Sequence, residues 1–174
     1  MRKERRGRVY LVGFMGSGKS SVGAHLAREI GYRFIDLDQE IESNRGLPIH
    51  AIFEQDGEPE FRRLESHALR LCGEQQGVVV ATGGGTLTRR ENLEFIQRTG
   101  VSIWLDAPLG VMLERCADGE RRPLLSTPER MAALLAERLG GYRGADLRAD
   151  SSDAPPEAIA RHIATQLRNA GFGR

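Results

Sequence analysis

The run Gly13-Phe14-Met15-Gly16-Ser17-Gly18-Lys19-Ser20 is a complete G-x-x-x-x-G-K-[ST] motif, and each residue type in it has work to do on a phosphate chain. Glycines let the backbone curl until the N–H groups around Gly16, Ser17 and Gly18 point inward at phosphate oxygens. A helix opening after Lys19 adds its positive N-terminal end. Lys19 is suited to neutralise charge between β- and γ-phosphates, and the Ser20 hydroxyl to coordinate Mg²⁺. Ser21 extends the same nucleotide-binding set. A strand before the motif and an amphipathic helix after it argue against a chance match in a glycine-rich turn. The motif alone does not choose among a kinase, a GTPase switch and a motor ATPase.

Other residues narrow the choice. The chain has no N-K-x-D element to read guanine. A motor ATPase is usually larger and carries an acidic pair after a hydrophobic strand. Asp106 follows such a strand, but Pro108 comes next and no second acid does. Asp106 is therefore expected to cap the following helix rather than bind metal. Asp36-Leu37-Asp38 lies where a second strand ends. Ligands of open α/β sheets bind at the carboxyl ends of strands, so both acids face the crevice of the phosphate loop. One can serve Mg²⁺ and the other a substrate hydroxyl; the plainer alternative is that Asp38 caps the next helix.

The elements that must position these groups follow from apolar periodicity and breakers. Strands are expected at Arg8–Val12, Tyr32–Ile35, Val78–Ala81 and Val101–Leu105, with a weak, polar fifth at Leu147–Ala149. Helices are expected over Ser20–Ile30, Asp38–Asn44, Pro48–Phe53, Phe61–Cys72, Glu91–Arg98 and Pro108–Ala117. Two more follow over Pro128–Leu139, stopped by Gly140-Gly141, and from Pro155 to about Leu167. Alternation of strand and helix implies a parallel sheet covered on both faces.

The chain has 174 residues, 25 Lys+Arg against 24 Asp+Glu, and 40% hydrophobic residues, which fits one globular domain over 1–174. The near-neutral balance gives no argument for nucleic acid, and no apolar run is long enough for a membrane. The basic residues before β-strand Arg8–Val12 are not followed by a signal-peptide core, so a cytoplasmic protein is expected. Cys72 and Cys116 lie in no metal spacing and read as buried, reduced thiols. His25, His50, His67 and His162 share no metal spacing either.

Taken together, the phosphate loop, Asp36-x-Asp38, Phe61-Arg62, Gly83-Gly84-Gly85 and Arg122-Pro123-Leu124-Leu125 stand in the order and approximate spacing of the shikimate kinases. The resemblance runs from Val9 to about Leu167. It implies a three-layer P-loop kinase fold, α/β, with a five-stranded parallel sheet, a helical substrate-binding insert over about 38–72 and a lid loop over about 118–127. It implies ATP and shikimate as substrates, Mg²⁺ as cofactor, and phosphorylation of the shikimate 3-hydroxyl in aromatic amino-acid biosynthesis. Asp38 matches the carboxylate that binds that hydroxyl, and Asp36 the acid on the magnesium side with Ser20. Arg62 and Arg138 match arginines that grip the substrate carboxylate, a task for a guanidinium fork rather than an ammonium. Gly84 matches a glycine presenting its N–H to the substrate. Arg122 matches the lid arginine that swings onto the ATP phosphates, and Arg115 a residue that stacks on adenine. Phe53 and Phe61 either wall the pocket or are simply core.

The chain departs from the family after Arg138, where Leu139-Gly140-Gly141-Tyr142-Arg143-Gly144 replaces a usual Pro-Leu-Tyr run. That loosens the expected placement of Arg138 and makes Arg143 a possible substitute. It is also the one feature that favours a kinase for another small hydroxy acid, such as gluconate. A non-catalytic, nucleotide-responsive module is a third reading, disfavoured by the joint presence of Lys19, Ser20, Asp38 and Arg122. A monomer is expected, since no conspicuous apolar stripe is left over.

Overall fold

The computed structural model describes residues 7–117 and 127–172. Its strands β1 (Arg8–Val12), β2 (Arg33–Asp36), β3 (Val78–Ala81), β4 (Val101–Asp106) and β5 (Leu147–Asp150) form one parallel sheet in the order β2-β3-β1-β4-β5. The helices are α1 (Lys19–Ile30), α2 (Leu37–Arg45), α3 (Ile49–Gly73), α4 (Arg90–Thr99), α5 (Leu109–Ala117), α6 (Pro128–Tyr142) and α7 (Pro156–Asn169), with a 3₁₀ turn at Thr86–Thr88.

Alternation along the central strands builds the layers. Val9 and Leu11 of β1 share a core with Val22 and Leu26 of α1 and Ile159 and Ile163 of α7. Tyr10 and Val12 join the opposite core, with Leu69 of α3, Ile96 of α4 and Met112 of α5. The four side chains from Val9 to Val12 are fully buried, at about 1.5–3 kcal/mol for each large apolar one. The three-layer α/β architecture expected from the alternation is what forms. No described helix is long and apolar enough to cross a membrane.

Several local outcomes differ from the sequence reading. Helix α2 starts at Leu37, because the Asp36 carboxylate accepts the backbone N–H groups of Asp38 (3.1 Å) and Gln39 (3.4 Å). Asp36 is thus the capping residue, not Asp38. The two helices expected on either side of residues 54–60 form one run, α3, broken only at Gly57 (φ 80°, ψ 168°) just ahead of Pro59. Its start is fixed by Glu42, whose Oε1 accepts the Ile49 N–H at 2.9 Å. Helix α6 passes through Gly140-Gly141 to Tyr142 rather than stopping at Leu139.

Strand β5 does form, in register with β4 from Ile103↔Leu147 to Asp106↔Asp150, with Ala149 buried. Asp106 does not cap α5. Its Oδ2 accepts from Arg148 Nε (2.9 Å) and Nη2 (2.5 Å) on the neighbouring strand, and Arg148 also lies over the Trp104 ring. A cross-strand cation offers the carboxylate two charge-assisted bonds, more than a single cap would. Cys72 is a buried free thiol as expected, whereas Cys116, also free, is only half-buried against the Gly16 turn.

Candidate active site

The turn from β1 to α1 borders a cavity of about 220 Å³ whose lining includes Gly16, Lys19, Ser20, Asp36, Asp38 and Gly84. Gly13, Gly16 and Gly18 all adopt positive φ (145°, 74° and 89°), the backbone that lets the loop curl. Ser17 is fully buried beneath it, and Ser21 is exposed on the cavity's rim. Lys19 Nζ donates to the carbonyls of Gly13 and Phe14, each at 2.8 Å. Ser20 Oγ donates to Asp36 Oδ2 at 2.5 Å. These two hard oxygen donors at the mouth of an N-terminal helix suit a small divalent cation that takes its remaining ligands from phosphate and water.

Across the cavity, the loop after β3 carries Gly83-Gly84-Gly85, and each glycine faces a different functional side chain. A Cβ on Gly83 would stand 2.4 Å from Glu65 Oε1 and 3.1 Å from Asp38 Oδ1. On Gly84 it would stand 3.4 Å from both Arg138 Nη1 and the Met15 backbone nitrogen. On Gly85 it would stand 2.5 Å from both Arg62 Nη1 and Nη2. A side chain at Gly83 or Gly85 would push aside the end of Glu65 or of Arg62. Asp38, Arg62 and Arg138, from α2, α3 and α6, therefore converge on three successive residues beside the phosphate loop.

Arg62 is held on both sides. Its Nη1 donates to Glu65 Oε2 (2.8 Å), and Nε and Nη2 donate to Glu58 Oε1 (3.2 and 3.1 Å). Burial disfavours its charge, but Glu65 and Glu58 outweigh that and raise its pKa further. Glu65, 1% exposed, accepts a second bond from Thr86 Oγ1 at 2.6 Å. Arg138 lies over the Phe14 ring and has its pKa lowered, first by burial, with the Arg62 charge adding to the effect. Two guanidinium groups at one place repel each other, and an anion between them relieves the repulsion. Phe61 is buried and packs on Phe53 at 4.6 Å between ring centroids, with Arg62 over its ring.

On the opposite flank, Arg115 Nη1 donates to the Gly16 carbonyl (3.3 Å) and Nη2 to the carbonyls of Ser151 (2.8 Å) and Ser152 (2.9 Å). That tethers the phosphate loop to the loop after β5. Arg143 is exposed at the end of α6, so Arg138 and not Arg143 stands at the glycine triplet. Arg122, with residues 118–126 of the lid expected over about 118–127, lies outside the described residues. Among the described residues no three of His, Cys, Asp or Glu gather as a metal site.

Two participants escaped the sequence reading. Glu65 sits three residues after Arg62, a spacing that pairs charges on one helix face, yet on sequence it is one acid among many. Tyr142 is buried and donates its hydroxyl to the Gly84 carbonyl. In the sequence it stands out only as one residue of the departing Leu139–Gly144 stretch.

Comparison with known proteins agrees with this geometry. The family model described as shikimate kinase matches residues 15–168. The shikimate kinase of Aquifex aeolicus (strain VF5) is 40% identical over 167 residues, covering 95% of this chain and 99% of that protein. The structure of shikimate kinase from Acinetobacter baumannii in complex with shikimate matches with a TM-score of 0.91 at 36% identity, over 96% of each chain. A gluconokinase from Sinorhizobium meliloti, at 22% identity and a TM-score of 0.63, shares the fold alone. A likeness in sequence and in shape along nearly the whole chain, matched by one family model, has a plain meaning: the chain belongs to the shikimate kinase family.

Proposed function

We propose that the chain transfers the γ-phosphoryl group of ATP to the 3-hydroxyl of shikimate, giving shikimate 3-phosphate and ADP. The observation that carries this reading is the convergence of Asp38, Arg62 and Arg138 on Gly83-Gly84-Gly85 beside the phosphate loop. A small hydroxy acid presents one carboxylate and several hydroxyls, and this arrangement offers two guanidinium forks for the first and a carboxylate for the second.

Asp38 orients the acceptor hydroxyl and takes its proton as the new O–P bond forms and the bond from Pγ to the β,γ-bridging oxygen breaks. Because phosphoryl transfer has a loose transition state, alignment contributes more than basicity. Arg62 and Arg138 bind the acceptor carboxylate, and the Gly84 N–H approaches the ring where a side chain would obstruct it. Backbone N–H groups of Gly16, Ser17 and Gly18, with the N-terminus of α1 and Ser21, cradle the phosphates. Lys19 leaves the carbonyls of Gly13 and Phe14 to meet the β- and γ-phosphates. Ser20 and Asp36 would hold Mg²⁺, Asp36 through water, and when bound the cation offsets charge on the transferring group. Arg115 borders the adenine side. Arg122, in the lid over about 118–127, adds positive charge as water is excluded. The helical insert over about 38–72 belongs to the same single domain. All of these roles come from one chain, consistent with a monomer, and reduced Cys72 and Cys116 suit the cytoplasm.

The test is ADP release with and without shikimate. Turnover equal to the ATP-only rate overturns the reading. A panel of sugar acids, gluconate among them, is expected to compete at least tenfold more weakly than shikimate.

A further inference from the structure

Helix α6 keeps its course through two glycines, and that course brings Tyr142 into the site. Gly141 lies so close to the 3₁₀ turn that a Cβ there would stand 3.1 Å from Leu87 Cβ and 3.3 Å from the Leu87 carbonyl oxygen. Gly140 beside it faces open space. Close approach at Gly141 sets the last turn of α6 against the loop of the glycine triplet. Tyr142, 1% exposed, then reaches the Gly84 carbonyl with its hydroxyl. A cavity of about 310 Å³ opens at this junction, lined by Gly84, Leu87, Thr88, Arg138 and Gly141 together with Tyr142 and Glu137.

The Arg138 guanidinium, one helical turn earlier on α6, lies at the same junction, its Nη1 3.4 Å from where a Cβ on Gly84 would stand. Tyr142 has a single proton to donate, and it goes to the Gly84 carbonyl. Burial pushes its pKa up to about 12, against the pull of the Arg138 charge, so the donor proton stays in place at any working pH. The Gly84 carbonyl and the Gly85 N–H belong to one rigid peptide and point in opposite directions. A bond that fixes the carbonyl therefore fixes that N–H as well. One hydroxyl thereby fixes the backbone of the triplet beside Arg138.

We propose that Tyr142 is a positioning residue for acceptor binding: seated by the side-chain-free contact of Gly141 with Leu87, it holds the Gly84–Gly85 peptide in place beside the Arg138 guanidinium for the acceptor carboxylate. The assignment rests on the shikimate kinase reading above. It places the gain in the ground-state binding of the acceptor and leaves the phosphate loop untouched.

Steady-state kinetics with each substrate varied in turn provide the test. Tyr142→Phe keeps the ring and its packing but loses the bond to the Gly84 carbonyl. It is expected to raise KM for shikimate roughly tenfold, with KM for ATP and kcat within about twofold of the parent. Gly141→Ala, which presses on Leu87, is expected to give a smaller shift of the same kind and carries the test should Tyr142→Phe fail to fold. Arg143→Ala, on the exposed end of α6, is expected to match the parent. Shikimate KM within twofold of the parent in both site variants, or parallel rises in both KM values, overturns the assignment. A parent protein with no shikimate-dependent turnover overturns the underlying reading and the assignment with it; a parent that turns over normally beside an unchanged Tyr142→Phe overturns the assignment alone.

Discussion

Ser20 lies in the first turn of α1 and Asp36 closes β2, yet Ser20 Oγ donates to Asp36 Oδ2 across 2.5 Å. The same carboxylate caps α2 through its other oxygen, Oδ1. Asp36 therefore has a structural and a proposed metal-side role, which two substitutions separate. Asp36→Asn keeps a good capping residue but loses the charge. It is expected to raise the Mg²⁺ concentration for half-maximal activity about tenfold, with little change in the urea midpoint. Asp36→Ala is expected to do the same and also to lose about 1 kcal/mol of stability. Magnesium titrations and urea melts on the pair check both.

Asp38 lies beyond the cap and faces Gly83, 3.1 Å from where a Cβ would sit. Asp38→Asn is expected to lower kcat by about 10²–10³-fold, within the range for a lost proton acceptor and aligner. ATP affinity, measured by calorimetry with a non-hydrolysable analogue, is expected to stay within about twofold of the parent. An unchanged kcat would assign the acceptor hydroxyl to another group.

Arg62 and Glu65 form a buried pair whose halves are not equivalent. Removing the cation strands a carboxylate that is 1% exposed. Arg62→Ala is expected to cost about 3 kcal/mol of stability as well as acceptor binding. Adding Glu65→Gln is expected to return much of the stability and none of the shikimate affinity. Chemical denaturation and shikimate KM on the single and double variants form the cycle that separates the two effects.

Two buried acids bear on stability at alkaline pH. Burial raises the Cys72 thiol from 9.0 to about 11 and the Tyr142 phenol from 10.0 to about 12. Both groups favour the protonated form in the folded state. Their contribution is fully present below the unfolded values and is lost as pH rises through the folded ones. Stability is therefore expected to fall between about pH 9 and 12, by up to about 1.4 kcal/mol per pH unit for each group. Cys72→Ala is expected to flatten the first part of that decline in urea melts taken from pH 8 to pH 12.

What could be seen in the sequence was what short stretches of chain determine by themselves. The phosphate loop is one contiguous peptide with its own turn chemistry, and it stands as its spacing predicts. The β-branched run Val78–Val80 likewise gives a fully buried strand. Partnerships between distant segments were harder. Nothing local tells Asp106 to turn toward Arg148 on a strand that pairs with its own. Which acid of Asp36-Leu37-Asp38 caps α2 depends on a one-residue shift in where the helix begins. Gly140-Gly141 read as a stop because glycine weakens helices, whereas the tight packing of Gly141 on Leu87 makes its bare Cα an advantage. Glu65 was invisible as a special residue because its burial comes from the triplet and Thr86, both brought to it by the sheet.

The placement of β3 beside β1, paired from Arg8↔Val78 to Leu11↔Ala81, has a consequence for how activity is acquired during folding. The Gly13–Ser20 turn and the glycine-triplet turn leave adjacent strands, although α1, β2, α2 and α3 are all made between them. A nascent chain truncated ahead of Val78 carries the entire Gly13–Ser20 segment but lacks the neighbour that braces its strand. Because Arg138 follows later still, on α6, the three side chains that meet at the glycine triplet are all present only after the chain has been made well past β3.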